Sequence, residues 1–256
     1  PYFSMLLSSL ETAAYKNDFK LMLFNSRDRN EKEDEFMDMC KGVRVSGIIL
    51  CSGSVEAQRF GNLGVPLITI ETSLENGTAS IECDNRQGGR LAARHLGEKG
   101  CRNVIYLSGS NPISMPADDR ALGFMEFCRR NNMNCMTPDV EKDRELYEKL
   151  EYHAYIEEIL RQCPELDGIF ASSDVIAAQV LQVCGRKGIR IPEQIKLIGF
   201  DDSMIASLTS PSITTIHQPV PEMAALAVES IARAHSGEMV PSRTILPVRL
   251  VKREST

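Results

Sequence analysis

At 256 residues, with 43% hydrophobic and 25% charged residues, the chain is long enough for one large domain or two of ordinary size and has a globular composition. No apolar run approaches the roughly 18 residues of a membrane span. The net charge of −6, with Lys and Arg scattered, argues against a fragment that grips nucleic acid by itself, because phosphate contact demands a basic stripe.

The chain alternates two textures. Phe3, Leu6, Leu7, Leu10 and Ala14 form a helical stripe, and a β-rich run follows at Lys20–Phe24. The acidic run Glu31–Glu35 reads as a solvated first helical turn, where carboxylates suit the helix dipole. Strands are predicted at Gly47–Leu50 and Pro66–Ile70, then a helix carrying Leu91, Ala92, His95 and Leu96 that stops at Gly97 and Gly100. Another strand spans Asn103–Leu107, and the Pro-containing stretch from Asn111-Pro112 marks the start of a second half. There the order repeats: strand Gly168–Phe170, helix Ile176–Cys184 with glycines 185 and 188 after it, and strand Lys196–Phe200. Strand Thr214–Ile216, an amphipathic helix Pro221–Ser236 and a closing strand Leu246–Glu254 complete the chain. Alternating strands and helices imply parallel sheets covered on both faces, and near-continuous apolar strands agree with that burial. The chain opens on the helix of a βα unit. This predicts a preceding first strand that would fill a slot beside Lys20–Phe24.

Asp201 and Asp202 end a buried strand. In an open α/β sheet the carboxyl ends of strands face the ligand crevice, which makes this pair a candidate binding feature. The eight cysteines form no Cys-x-x-Cys pair and no tight cluster with the four histidines; they read as small buried hydrophobes in a reducing compartment. No phosphate loop, dinucleotide fingerprint, nucleophile elbow or His-Glu-x-x-His motif occurs. The chain therefore reads as a non-enzyme without cofactor or metal.

Several segments, in order, resemble the lactose-repressor/galactose-repressor (LacI/GalR) family of bacterial transcription regulators. They are Pro1-Tyr2-Phe3, Val45–Leu50, Asp84–Ala92, Asp119–Phe124, Phe170–Asp174, Gly199–Asp202, Pro211–Pro219 and Leu246–Ser255. The resemblance implies a periplasmic-binding-protein-like (type I) α/β fold of two doubly wound parallel-sheet lobes joined by three crossovers. It places the first lobe at 1–109 plus 219–245 and the second at 110–218 plus 246–256. The helix-turn-helix, hinge helix and first core strand of such proteins are expected to lie outside this chain. The implied function is an effector-binding and dimerisation core. It would be cytoplasmic, bind a sugar or sugar phosphate between the lobes, and switch the operator affinity of a homodimeric repressor. A periplasmic transport receptor of the same fold is the alternative.

The resemblance also nominates ligand contacts. Arg120 and Asp201 come first, since a guanidinium fork and a carboxylate suit vicinal hydroxyls. Ser173 stands where the family has a ligand-binding Asn. Tyr2 and Phe3 stand at ring-stacking positions, with Phe3 equally a core candidate. Tyr147 falls near a further stacking position, and Glu71 ends a strand on the cleft side, or is an exposed turn residue. Asp174 is expected to cap the helix from Val175, and Asp202 to cap the segment that follows it. Dimer contacts are expected from Met5, Ser9, Thr12 and the segment Ser207–Pro211.

Overall fold

The computed structural model describes residues 1–26, 30–51, 64–72, 74, 77–109, 115–136 and 150–256. Helix α1 (Tyr2–Lys16) and α2 (Asn30–Val43) precede strands β1 (Ile48–Leu50), β2 (Leu67–Ile70) and β3 (Ala79–Cys83). Then come α3 (Asn85–Glu98), β4 (Asn103–Leu107), α4 (Asp119–Arg130) and β5 (Asn134–Cys135). The next elements are α5 (His153–Gln162), β6 (Gly168–Ala171), α6 (Asp174–Arg186), β7 (Lys196–Asp201) and the short α7 (Met204–Leu208). Strand β8 (Thr214–His217), helix α8 (Val220–His235), β9 (Arg243–Leu246) and β10 (Arg249–Val251) finish the chain. No helix among the described residues is long and apolar enough to cross a membrane.

Two sheets result. One has four strands in the order β1-β2-β3-β9, all parallel. The other has six in the order β10-β8-β7-β6-β4-β5, parallel except for β10, which runs antiparallel to β8. The inner strands of both are buried on two faces, which explains their apolar runs. On the four-stranded sheet, α1 and α8 bury Leu6, Leu10, Met223, Ala227 and Ile231 on one side, and α2 packs Met37 against Leu67 on the other. On the six-stranded sheet, alternation along β4 sends Val104 to one face and Ile105 and Leu107 to the other. The first face is covered by α3 and α4, the second by α5 and α6. Each fully buried Leu or Ile in these layers contributes about 2 kcal/mol of transfer free energy.

The division of the chain differs from the sequence boundary at residue 109. Strand β4 pairs with β6, and α3 already lies on the six-stranded sheet, with Gly88 against Phe200 and Ile216. The chain therefore leaves the four-stranded sheet at Asp84, ahead of α3. It returns between β8 and α8, at 217–220, and leaves again between β9 and β10, at 246–249. The expected closing strand Leu246–Glu254 is thus two strands on two sheets. Pro247, which has no N–H to give a ladder, stands at the break. At this crossing the Asp84 N–H donates to Leu246 O at 2.8 Å, so two of the crossing segments are bonded to each other.

Lys20–Phe24 is not a strand: it has no ladder partner among the described residues, and Leu21, Met22 and Leu23 are exposed. Propensity without a paired neighbour does not make a strand. The acidic turn is not wholly solvated either. Glu33 is buried, and its carboxylate accepts from Ser26 Oγ at 3.2 Å.

Candidate functional site

The two sheets bring their carboxyl ends together. Glu71 directly follows β2 and Cys83 ends β3, Ser172 directly follows β6 and Asp201 ends β7, and the start of α1 brings Tyr2 to the same place. The backbone is strained there, with φ at +53° for Glu71, +111° for Asp201 and +57° for Asp202. Such angles cost side-chain-bearing residues energy and persist where the surroundings over-determine them, as at binding sites.

Arg120, in the first turn of α4, is the hub. Its Nε donates to Asn85 Oδ1 at 2.7 Å and its Nη1 to Ser172 O at 2.8 Å. Its Nη2 stands 3.9 Å from Glu71 Oε2, and the guanidinium lies 3.6 Å above the Phe200 ring centroid. Stacking and three directed contacts fix the fork, although the residue is only 7% exposed. Phe200 is one of a buried row of rings: Tyr106 and Phe124 lie 5.2 and 5.4 Å from Phe170, which is 6.3 Å from Phe200. Burial opposes the charge on Arg120, but the facing Cys83, Asp201 and Glu71 outweigh it and hold the guanidinium above its ordinary range.

Glu71 is built into the same chain of bonds. Its Oε1 accepts the Cys83 N–H at 2.6 Å and its Oε2 accepts Asn85 Nδ2 at 2.8 Å. Asn85 thus gives its amide to Glu71 and its oxygen to Arg120, which fixes its orientation. The path Glu71–Asn85–Arg120–Ser172 links the four-stranded sheet to the six-stranded one.

Asp201 faces this group from β7. Its Oδ1 accepts Gln218 Nε2 at 2.7 Å, from the segment between β8 and α8. Burial, then the negative field of Asp174, pushes its carboxyl up to about 8 despite Arg120 and Gln218. Asp174 lies behind it, pushed up to about 6 chiefly by burial. Its oxygens accept Thr215 Oγ1 at 2.6 Å and the Ser203 N–H at 2.7 Å. Tyr2 completes the ring: burial and then Glu71 hold its phenol well above the usual range. The Tyr2 hydroxyl and Gln218 Oε1 are both buried without a hydrogen-bond partner among the described residues. An unsatisfied buried donor and acceptor among carboxylates and a fixed guanidinium form a surface suited to a polyhydroxylated molecule.

Of the residues nominated from sequence, Arg120, Asp201, Glu71 and Tyr2 come together. Glu71 is buried and engaged, not an exposed turn residue. Phe3, at 63% exposure, is not core; its ring meets Tyr2 edge-on at 5.4 Å. Ser173 is the N-cap of α6, its Oγ accepting the Ile176 N–H at 3.3 Å. The expected capping role of Asp174 therefore falls to Ser173, because Asp174 is turned inward to Thr215 and Ser203. Asp202 does not cap α7, whose N-cap is Ser203; its carboxylate pairs with His217 Nδ1 at 2.9 Å and with the Arg253 guanidinium. Tyr147 lies outside the described residues. Sequence reasoning missed Asn85 and Gln218. Both sat inside quoted motifs, at a helix start and before Pro219, and neither carries the charge that drew attention to Arg120 and Asp201.

The family description "Periplasmic binding protein-like domain" matches residues 93–256. A solved structure described as a periplasmic binding protein/LacI transcriptional regulator from Alkaliphilus metalliredigens QYMF, complexed with D-xylulofuranose, superposes with a TM-score of 0.86 at 31% identity. That match covers 100% of this chain and 94% of that one. The chain belongs to the periplasmic-binding-protein-like family of LacI-type regulators. The ribose operon repressor of Halalkalibacterium halodurans is 27% identical over 257 residues, covering 100% of this chain and 76% of that protein. The sucrose operon repressor of Streptococcus mutans is 28% identical, covering 99% and 77%. These relatives are regulators rather than enzymes, and the LacI-type architecture accounts for two sheets facing each other across three neighbouring crossings of the chain.

Proposed function

We propose that this chain is the effector-binding core of a LacI-type transcriptional repressor that responds to a sugar. Its two lobes are residues 1–83 with 220–246, and 85–217 with 249–256. The observation that carries this reading is the fixed guanidinium of Arg120 beside Asp201 of its own half and Glu71 of the four-stranded half, with Tyr2 of that half near both carboxylates. Names of related repressors, for ribose and sucrose operons, and a relative holding D-xylulofuranose point to the same ligand class. In this reading Arg120 donates to ligand hydroxyls and Asp201 accepts from them. Tyr2 and the exposed ring of Phe3 cover an apolar sugar face, and the Ser173 hydroxyl retains a donor after capping α6. Tyr147 is kept as a stacking contact.

The repressor acts in the cytoplasm as a homodimer, through α1 positions Met5, Ser9 and Thr12 and the segment Ser207–Pro211. Operator contact belongs to a helix-turn-helix domain, not to this acidic core. The effector acts only through its different affinities for two lobe arrangements. Thermal-shift titration with ribose, xylulose, sucrose and their phosphates tests the reading. A sugar should raise the melting temperature of the wild type and not of Arg120→Met. Equal shifts in both, or shifts from none of the sugars, would reject the site.

A further inference from the structure

We infer that the cleft takes a neutral sugar and turns away that sugar's phosphate ester. The inference rests on the effector-binding reading above and narrows its ligand class. A phosphate monoester carries about −1.5 to −2 charge at pH 7 and is held by cations or free helix N–H groups in excess of the carboxylates around it. This cleft is built the other way. Both oxygens of Glu71 accept protein donors, from Cys83 N–H at 2.6 Å and Asn85 Nδ2 at 2.8 Å, so the carboxylate cannot swing out of an anion's path. Asp201 Oδ1 is tied to Gln218 Nε2 at 2.7 Å and cannot withdraw either. Arg120 faces both, and its charge is already answered: Nη2 stands 3.9 Å from Glu71 Oε2, while Nε and Nη1 donate to Asn85 Oδ1 and Ser172 O. An anion reaching this guanidinium does so beside a fixed carboxylate. The N–H groups left over still serve hydroxyls, which bring no charge.

Helix starts at the cleft do not make up the difference. Asp84 Oδ1 takes the Gln87 N–H at 2.8 Å at the start of α3, and Ser173 Oγ takes the Ile176 N–H at 3.3 Å at the start of α6. Asp118 and Asp119 stand at the opening of α4. The start of α1 has no side-chain cap, yet burial and then the charge of Glu71 keep the Tyr2 phenol there from ionising. Asp201 reports the same field: burial and then Asp174 push its carboxyl up to about 8 even with Arg120 opposing. A site that resists the charge of its own carboxyl resists a phosphate more strongly, because like charges brought together without water repel.

Isothermal titration of the 256-residue chain at pH 7.5 and fixed salt tests this with ribose, D-xylulose, sucrose and the monophosphate of each. The expected result is one neutral sugar that binds and a monophosphate of it that binds at least tenfold more weakly. The uncharged dimethyl phosphate of the same sugar, no smaller than the monophosphate, separates charge from size. Its affinity should lie closer to the sugar's than to the monophosphate's. A monophosphate within tenfold of its sugar, or tighter, overturns the inference and leaves the effector cleft standing. A dimethyl ester as weak as the monophosphate assigns the exclusion to size and overturns it too. Binding by none of these compounds overturns the sugar reading itself, and this inference with it.

Discussion

Glu71, Asn85 and Arg120 show how little freedom a buried polar chain leaves to each member. Glu71 accepts from both Cys83 N–H and Asn85 Nδ2, and Asn85 cannot turn over because its oxygen holds Arg120 Nε. A Gln at 71 would match the shape but bring one N–H against another donor. Glu71→Gln should therefore lower unfolding free energy by about 2 kcal/mol, the cost of a buried group left unpaired; a urea midpoint equal to wild type would refute the donor assignment. Asp201 carries a pH signature. Its carboxyl titrates near 8 in the folded chain and near its ordinary 3.8 when unfolded, so the folded state holds the extra proton between those values. Stability from this group is full below about pH 4 and lost as pH rises through about 8. Asp201→Asn, which keeps an oxygen for Gln218, should melt above wild type at pH 8 and with it at pH 4. A difference that does not change with pH would reject the raised value. Arg120 and Asp201 were legible as charged residues in positions that ought to bind something. Asn85 and the buried Tyr2 hydroxyl were not, because their importance lies in what surrounds them.

Between elements, the closest contact is that of α3 on α4. A Cβ at Gly89 would stand 2.0 Å from Arg120 O, and one at Gly123 would stand 1.9 Å from Arg86 O, so the two backbones touch where only glycine fits. Arg86 and Glu126 pair across the rim of the same contact. Gly123→Ala must force the helices apart. It should cost about 3 kcal/mol, as overpacking does, and displace Arg120 from Asn85. Chemical denaturation checks the first effect and loss of the sugar-induced thermal shift the second; an unchanged midpoint would mean the helices can separate freely. Strands with unbroken apolar runs, such as β2, β4 and β7, were readable from sequence. Strand β3 was not, because Ser80 and Glu82 break its apolar run. Glu82 is nevertheless buried, its charge met at 2.7 Å by Arg243 from the neighbouring β9. Strand β9 was read only at its last residue, since as an edge it alternates toward solvent.

At the scale of the whole molecule, the α/β class and two-sheet organisation were legible, but the first crossing was misplaced because nothing in α3 says which sheet it will cover. The corrected division gives the final prediction. Tyr2 and Glu71 belong to the four-stranded half, Asp201, Arg120 and Ser173 to the other, and the connections between halves run through Asp84, Gln218 and Pro247. A sugar held by both sides adds bonds between halves that otherwise meet through these crossings and the Glu71–Asn85–Arg120 chain. Its binding free energy then stabilises the halves together, by about 2.7 kcal/mol at one hundred times its dissociation constant. Hydrogen exchange should accordingly slow in both Leu67–Ile70 and Lys196–Asp201 when the sugar that shifts the melting temperature is added. If the ligand touched only Arg120 and Asp201, protection would be confined to the six-stranded sheet and the lobes would have no reason to rearrange. Joint protection is what a switch requires, because an effector moves an equilibrium only by contacts that one lobe arrangement makes and the other does not.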